Sequence, residues 1–370
     1  MRNRIPVLDS LRGVAILSVF TYHAFFWSGV LVDGWLARAV LALTRPAWLG
    51  VDLFFVLSGF LITGRLLDRK HDVAGDYYKS FYTRRALRIL PLYFTMLLVV
   101  GSIMWRAGET SWQFLAASTV FLPNIALLAG WWTTGPLGVL WSLGVEEQVY
   151  LVWPFLVRVF PTRGLAWLFV AIGLVEPFLR YTTFTAGWLR EGLSIATWLR
   201  LDGFAWGGLL AIVIRDAHMT RRRLGAIGLG TLLISVGLAV FCASTSSLSQ
   251  RTVIGTSLQL ACADLFFAGL IAVSLWRTWG GPAPAARRRG VLASFGRVSY
   301  CLYLVHMFVF WSFDRLAAVS SPMALAPTVV RAVIVLAVST ALAELSWRYI
   351  EGPSLQFKPA FAEPAVVKSA

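Results

Sequence analysis

Two residues in the opening apolar run could do chemistry together. Arg12 and His23 stand eleven positions apart in LDSLRGVAILSVFTYHAFFW. A helix turning about 100° per residue brings the second to within about 20° of the first one's face, roughly 16 Å further along the axis. A neutral imidazole can take a proton from an alcohol, which is what acyl transfer to a hydroxyl requires. A guanidinium at the mouth of the same stripe suits an anionic group arriving from one side of a membrane. Ionisable groups this deep in an apolar segment are costly and face an interior or a wet cavity. The plainer alternative is a snorkelling arginine with a histidine that satisfies a neighbouring helix.

Further polar groups interrupt later apolar runs. Arg84, Arg85 and Arg88 gather in YTRRALRILPLY. Arg84 and Arg88 share a helical face, and arginine forks suit phosphate oxygens such as those of coenzyme A. A simple cytoplasmic anchor would use the same residues. In WSLGVEEQVYLVWP, Glu146 and Glu147 are adjacent and point about 100° apart. Glu146 shares its face with Ser142 and Tyr150, four residues to either side; an ion pair with an arginine of another span is the competing reading. Asp52 opens GVDLFFVLSGFLI, either answering a helix dipole or orienting a substrate hydroxyl or a ring nitrogen. Ser58 and Gly59 suit close helix packing in lipid. Ser299, Tyr303 and His306 in VSYCLYLVHM form a second polar stripe, with His306 readable also as a hydrogen-bonded core histidine. Asp264 lies mid-span and needs a partner, and Glu344 with Arg348 fits an i,i+4 pair. There is no GxSxG elbow, no Walker loop and no HExxH. The histidines lack ligand spacing, so no metal is expected.

These residues need helices in a bilayer to hold them. The chain of 370 residues is 58% hydrophobic with a mean hydropathy of +0.71, which excludes an ordinary soluble domain. The expected fold is all-α, a polytopic integral membrane bundle of about ten transmembrane helices. They fall near 11–31, 47–66, 89–106, 138–158, 164–184, 194–214, 224–243, 256–276, 294–313 and 327–349, each close to the length a bilayer needs. Residues 112–130 contain Pro123 and Asn124 and are expected as an interfacial or re-entrant piece. With both termini cytoplasmic, most of the 33 lysines and arginines fall in inner loops, which accounts for the net charge of +15 without nucleic acid. An eleventh span at 112–130 would reverse that asymmetry. The first span reads as uncleaved. Cys242, Cys262 and Cys301 read as buried thiols. A basic linker covers 280–290. The domain division is 1–352 as one transmembrane domain and 353–370 as a short tail.

LDSLRG with His23, GVDLFFVLSGFLI, RRALRILP, WSLGVEEQVYLVWP and SYCLYLVH, in this order, resemble the membrane acyltransferase 3 family of bacterial O-acyltransferases. The resemblance implies a bundle of about ten helices in the cytoplasmic (inner) membrane. It implies transfer of an acyl group, commonly acetyl from acetyl-CoA, to a hydroxyl of a carbohydrate acceptor. It assigns the arginine-to-histidine motif to Arg12 and His23, the inner arginines to Arg84, Arg85 and Arg88, and the WSL-motif glutamate to Glu146 or Glu147, with Glu146 preferred. On this reading His23 is the base, Tyr150 or Ser142 stabilises the oxyanion, and a passage leads from a cationic mouth to His23. Asp52, Tyr303 and His306 complete the candidate set. Many relatives carry an additional hydrolase-like domain, which is not expected here. Tryptophans at the expected outer entrance, Trp27, Trp35, Trp112, Trp131 and Trp132, could stack on sugar rings or form an ordinary interfacial belt. The acceptor is expected to be a cell-surface or lipid-linked glycan. Alternatives are a glycosylated small metabolite such as a macrolide sugar, or a transporter or flippase with no covalent chemistry. Oligomeric state is open.

Overall fold

The apolar runs fold as helices because a bilayer leaves no water to satisfy free backbone groups. The computed structural model describes residues 6–187, 194–244, 252–279, 290–319 and 322–357. Among these, every element is helical apart from two isolated bridges, Val30 with Met323 and Thr110 with Thr133. The long helices are α1 (Pro6–Thr21), α3 (Gly50–Leu67), α4 (Ala74–Arg106), α8 (Leu140–Val159), α9 (Thr162–Thr185), α10 (Leu201–Ile214), α11 (Arg221–Ser244), α12 (Val253–Arg277), α13 (Val291–Leu316) and α14 (Leu325–Ser346). Short helices fill the connections: α2 (Trp35–Thr44), α5 (Trp112–Thr119), α6 (Pro123–Leu128), α7 (Gly135–Gly138) and α15 (Gly352–Gln356).

Seven helical stretches among the described residues are long and apolar enough to cross a membrane. Three of the ten expected spans fall outside that class. α1 carries Asp9 and Arg12, α8 carries Glu146, Glu147 and Arg158, and α10 has only 14 residues. α10 is an apolar helix and falls outside for its length alone, whereas α1 and α8 are less apolar because they carry charged groups, which face protein rather than lipid.

Several boundaries differ from the expectation. The third helix begins at Ala74, well before residue 89. Its first four turns hold Asp76, Lys79 and three arginines, which lower the hydropathy without disfavouring a helix. Tyr77 and Tyr82 dock this extension on α8 by donating to the carbonyls of Pro154 (2.9 Å) and Leu151 (2.8 Å). Residues 112–130 form two short helices, broken at Phe121 with φ +59°; at about 12 Å and 9 Å neither can span a bilayer. A closed polar ring fixes this piece. Gln148 donates to the Asn124 Oδ1 (2.8 Å), Asn124 donates to Thr197 Oγ1 (2.9 Å), and Thr197 donates to Gln148 Oε1 (2.6 Å). Glu344 pairs with Arg297 (2.6 Å), not with Arg348 as the local spacing suggests. The linker 280–290, except Gly290, and the tail after 357 lie outside the described residues.

Glycines set the close crossings. A Cβ at Gly13 would overlap the Leu292 carbonyl, and one at Gly296 would overlap that of Asp9. α1 and α13 therefore touch main chain to main chain, as small residues permit in membranes. Gly59 and Gly207 play the same part between α3 and α10, against Phe204 and Val56. Gly296→Val is expected to force α1 and α13 apart and to reduce the yield of monodisperse protein in mild detergent. A wild-type elution profile and melting curve for that variant would contradict the contact.

A buried ion network joins α3, α9, α10 and α12. Arg180 donates to Asp202 (2.7 Å), to Glu176 (3.3 Å) and to the carbonyls of Leu199 (3.1 Å) and Ser257 (3.3 Å). Arg200, at the end of a 3₁₀ turn, donates to Asp52 (2.8 Å). Asp264 is an electrostatic neighbour of the same group. It lies against Gly203, where a Cβ would come within 2.9 Å of its Oδ1.

Candidate functional site

The site is built from five helices, α1, α3, α4, α8 and α13. At the upper end of α1 the helix widens into a π-turn, Tyr22–Trp27, which holds His23. Single π-turns inside α-helices often mark functional positions. His23 therefore does not continue the ideal α phase from Arg12, and the shared-stripe arithmetic stops at Thr21. A collar holds the turn in place. Ser28 donates to the His23 carbonyl (2.6 Å) and accepts from Arg331 (2.9 Å), whose guanidinium is gripped at both ends by Asp314 (2.6 and 2.5 Å).

His23 faces His306 of α13. His23 Nδ1 lies 2.9 Å from the Val19 carbonyl and 3.1 Å from His306 Nε2. His306 Nδ1 lies against the carbonyls of Tyr303 (2.7 Å) and Leu302 (3.1 Å). Phe20 packs against His306, and Tyr22 and Trp27 set their rings edge-on to His23. Both rings are thus walled by aromatics. Among the described residues no hydrogen bond reaches Nε2 of His23.

A polar ladder along α8 leads away from this pair. Tyr303 donates to the Val139 carbonyl (3.0 Å) and meets the Ser142 hydroxyl at 2.6 Å. Four residues on, Glu146 accepts from Ser58 of α3 and from Tyr150 of its own helix. The Arg85 guanidinium lies over the Tyr150 ring, 3.1 Å from its centroid. Successive rungs are about 6 Å apart, the rise of four helical residues. The buried Oε1 of Glu147 has no hydrogen-bond partner among the described residues, though Arg85 and Arg88 are its electrostatic neighbours.

At the far end arginines converge. Arg12 has Arg88 and Arg65 as electrostatic neighbours, and Arg65 has Arg88, Arg85 and Arg84. Arg12, Arg65, Arg85 and Arg88 make no hydrogen bond or ion pair to any described residue. Asp9, Glu147 and Glu351 are electrostatic neighbours of Arg12, Arg85 and Arg88, but no fork of the four is bonded to a described residue, so each remains available to phosphate or carboxylate and together they form a ready anion site. Arg65 was not singled out by the sequence reading; its only sign was a basic residue ending an apolar run.

Asp52 does not join either end. Its carboxylate is committed to Arg200, with both side chains 1% exposed. Its Oδ2 is buried with no hydrogen-bond partner among the described residues. Glu146 lacks the arginine partner that the competing reading required. Two concave surfaces lie away from the histidines. One, a groove of about 600 Å³, is lined by Asp33, Trp35 and Leu325 among others; the other, of about 280 Å³, by Val7, Ser10 and Arg277. His23 lines neither. The exposed tryptophans expected at the rim, Trp27, Trp35, Trp112, Trp131 and Trp132, are indeed exposed.

The acyltransferase domain family known as acyltransferase 3 matches residues 5–347, nearly the whole chain. The chain belongs to the acyltransferase 3 family. Similar proteins carry related names. The peptidoglycan O-acetyltransferase OatA of Listeria monocytogenes is 25% identical over 95% of this chain and 56% of its own length. A putative O-acetyltransferase of Staphylococcus aureus is 26% identical over 94% of this chain and 57% of its own length. A putative peptidoglycan O-acetyltransferase of Bacillus subtilis, YrhL, is 32% identical over 40% of this chain and 23% of its own length. The chain thus spans little more than half the length of the curated relatives it matches along its whole extent. No solved structure matches it.

Proposed function

We propose that this chain is a membrane O-acetyltransferase. Acetyl-CoA is taken from the cytoplasmic side and its acetyl group passes to a sugar hydroxyl of a cell-surface or lipid-linked glycan. Peptidoglycan is the substrate in the names of two relatives, which favours a glycan of the wall as the acceptor class. The observation that carries the reading is the pairing of an arginine cluster whose forks bond to no described residue with a histidine whose Nε2 accepts no described hydrogen bond, joined by the polar ladder on α8.

In this reading the donor's phosphates sit among Arg12, Arg65, Arg85 and Arg88, where they replace mutual repulsion with charge-assisted bonds. Arg84, on the exposed face, adds attraction from solution. The thioester then lies along the ladder, with its carbonyl near His23. The base takes the proton of the acceptor hydroxyl on Nε2 while the oxygen attacks the carbonyl carbon. Of the ladder hydroxyls, Ser142 stands at the histidine end and donates to the oxyanion, whereas Tyr150 keeps its proton on Glu146 at the arginine end. Collapse breaks the carbon–sulfur bond, and the leaving thiolate receives the proton from the imidazolium, giving CoA thiol and an O-acetyl ester. Glu146 holds Ser58 and Tyr150 in register. No step needs a metal.

The test is acetyl transfer by the purified full chain in nanodiscs, with labelled acetyl-CoA and wall glycan fragments. The expected result is acceptor-dependent thiol release with label on the glycan. Replacing Arg85 and Arg88 together with alanine should raise the donor KM by about 10–100-fold, about 1.4 kcal/mol for each lost tenfold, with a weaker dependence on salt than the wild type. Acceptor flux across the membrane with no thiol release, for any glycan offered, would overturn the reading.

A further inference from the structure

His23 and His306 are 283 residues apart in the chain and meet at 3.1 Å. The protons of such a pair can be assigned from the main chain. A carbonyl oxygen only accepts, so a ring nitrogen held against one must carry hydrogen. His306 Nδ1 faces two carbonyls, of Tyr303 and Leu302; it is the protonated nitrogen, which leaves Nε2 with a lone pair. His23 Nδ1 faces the Val19 carbonyl; it too carries hydrogen, shared between that oxygen and the lone pair of His306. For two neutral rings, every other assignment sets a nitrogen lone pair against a carbonyl lone pair.

We propose that His306 is a positioning residue for His23. Its bare Nε2 accepts the Nδ1 proton of His23, so Nε2 of His23 is presented unprotonated to the acceptor hydroxyl. This rests on the reading of His23 as base and adds the group that orients it. The partner differs from the carboxylate that usually backs a catalytic histidine. No described carboxylate bonds to either ring. Passing the proton on to His306 Nε2 would only move the one positive charge to a fully buried ring and leave a lone pair of His23 Nδ1 against the Val19 carbonyl, so the proton stays on His23. It therefore orients and supports the imidazolium of His23 without relaying charge further. The fold provides for this. Gly13 and Gly296 touch main chain to main chain with the same offset of 283 residues, ten positions before the two histidines.

The test combines an exchange series with a spectroscopic reading on the full chain in nanodiscs. His306→Leu removes the acceptor and should lower kcat about 10–100-fold, the usual cost of losing an orienting partner, with donor KM within about twofold. His306→Gln, whose amide oxygen reaches the position of Nε2, should recover most of the rate. His306→Asn, whose oxygen falls near Nδ1, should not. In ¹⁵N-histidine protein, scalar coupling through the hydrogen bond should link a protonated Nδ1 of His23 to an unprotonated Nε2 of His306, and vanish in His306→Gln. A proton resting on His306 Nε2, or equal kcat for the leucine and glutamine variants, would overturn the assignment. If His23→Ala is inactive while His306→Leu is fully active, this inference alone fails. If His23→Ala is itself active, the underlying reading fails with it.

Discussion

His23→Ala is expected to lower acetyl transfer by about 10²–10⁴-fold, the usual contribution of a general base, while leaving the donor KM nearly unchanged. The split follows from the geometry. His23 lies at the far end of the ladder from Arg12, Arg65, Arg85 and Arg88, so its loss removes proton transfer and not the grip on phosphate. It is part-exposed within an aromatic wall, and no described residue other than Val19 and His306 bonds to its ring; truncation should therefore cost little stability. The measurement is initial rate against acetyl-CoA concentration for wild type and variant, with a melting curve on each to separate unfolding from inactivation. A variant that keeps the full rate would remove His23 from the mechanism. A variant whose KM rises while kcat holds would make it a binding residue.

Arg180→Leu is expected to have the largest effect on stability, about 3–5 kcal/mol. Arg180 is fully buried and makes four bonds, to two carboxylates and two carbonyls. Its removal strands Glu176 and Asp202 without the cation bonded to both, inside a bilayer-embedded core. The cost is that of abandoned charge and is larger than the net worth of the pair. For this reason the combined change Arg180→Leu, Asp202→Leu, Glu176→Gln should regain much of what the single change loses. Thermal unfolding followed by loss of monodisperse protein reads both. If the single variant melts with the wild type, the network is not a support of the fold.

What the sequence made legible was local. Ser142, Glu146 and Tyr150 lie four residues apart, so their common face follows from helix geometry alone, and Tyr150 does donate to Glu146. The helical class followed from hydropathy, since long apolar runs in lipid have few alternatives. The start of α4 was hidden because hydropathy reads Asp76, Lys79 and the arginines as loop, although they are compatible with a helix. Tertiary partnerships were not readable. Nothing near Asp52 announces Arg200, 148 residues away. Arg65 joins the arginine cluster only because the end of α3 comes within electrostatic range of the middle of α4, where Arg84, Arg85 and Arg88 stand. His23 and His306 were each visible as a polar residue in an apolar stripe, but their encounter depends on which helices neighbour one another, and periodicity within one helix carries no such information.

Where Gly13 meets Gly296, peptide group rests on peptide group with no side chain between. Peptide planes in contact do not compress, and they have no rotamers to exchange. The gap between the two imidazoles, about 15 Å further along, is thus gauged by covalent dimensions and not by a yielding packing of methyl groups. A thicker or thinner lipid leaflet would tilt α1 and α13 as one body and leave that gap nearly constant, so the rate of the chemical step should be insensitive to acyl-chain length in the surrounding bilayer.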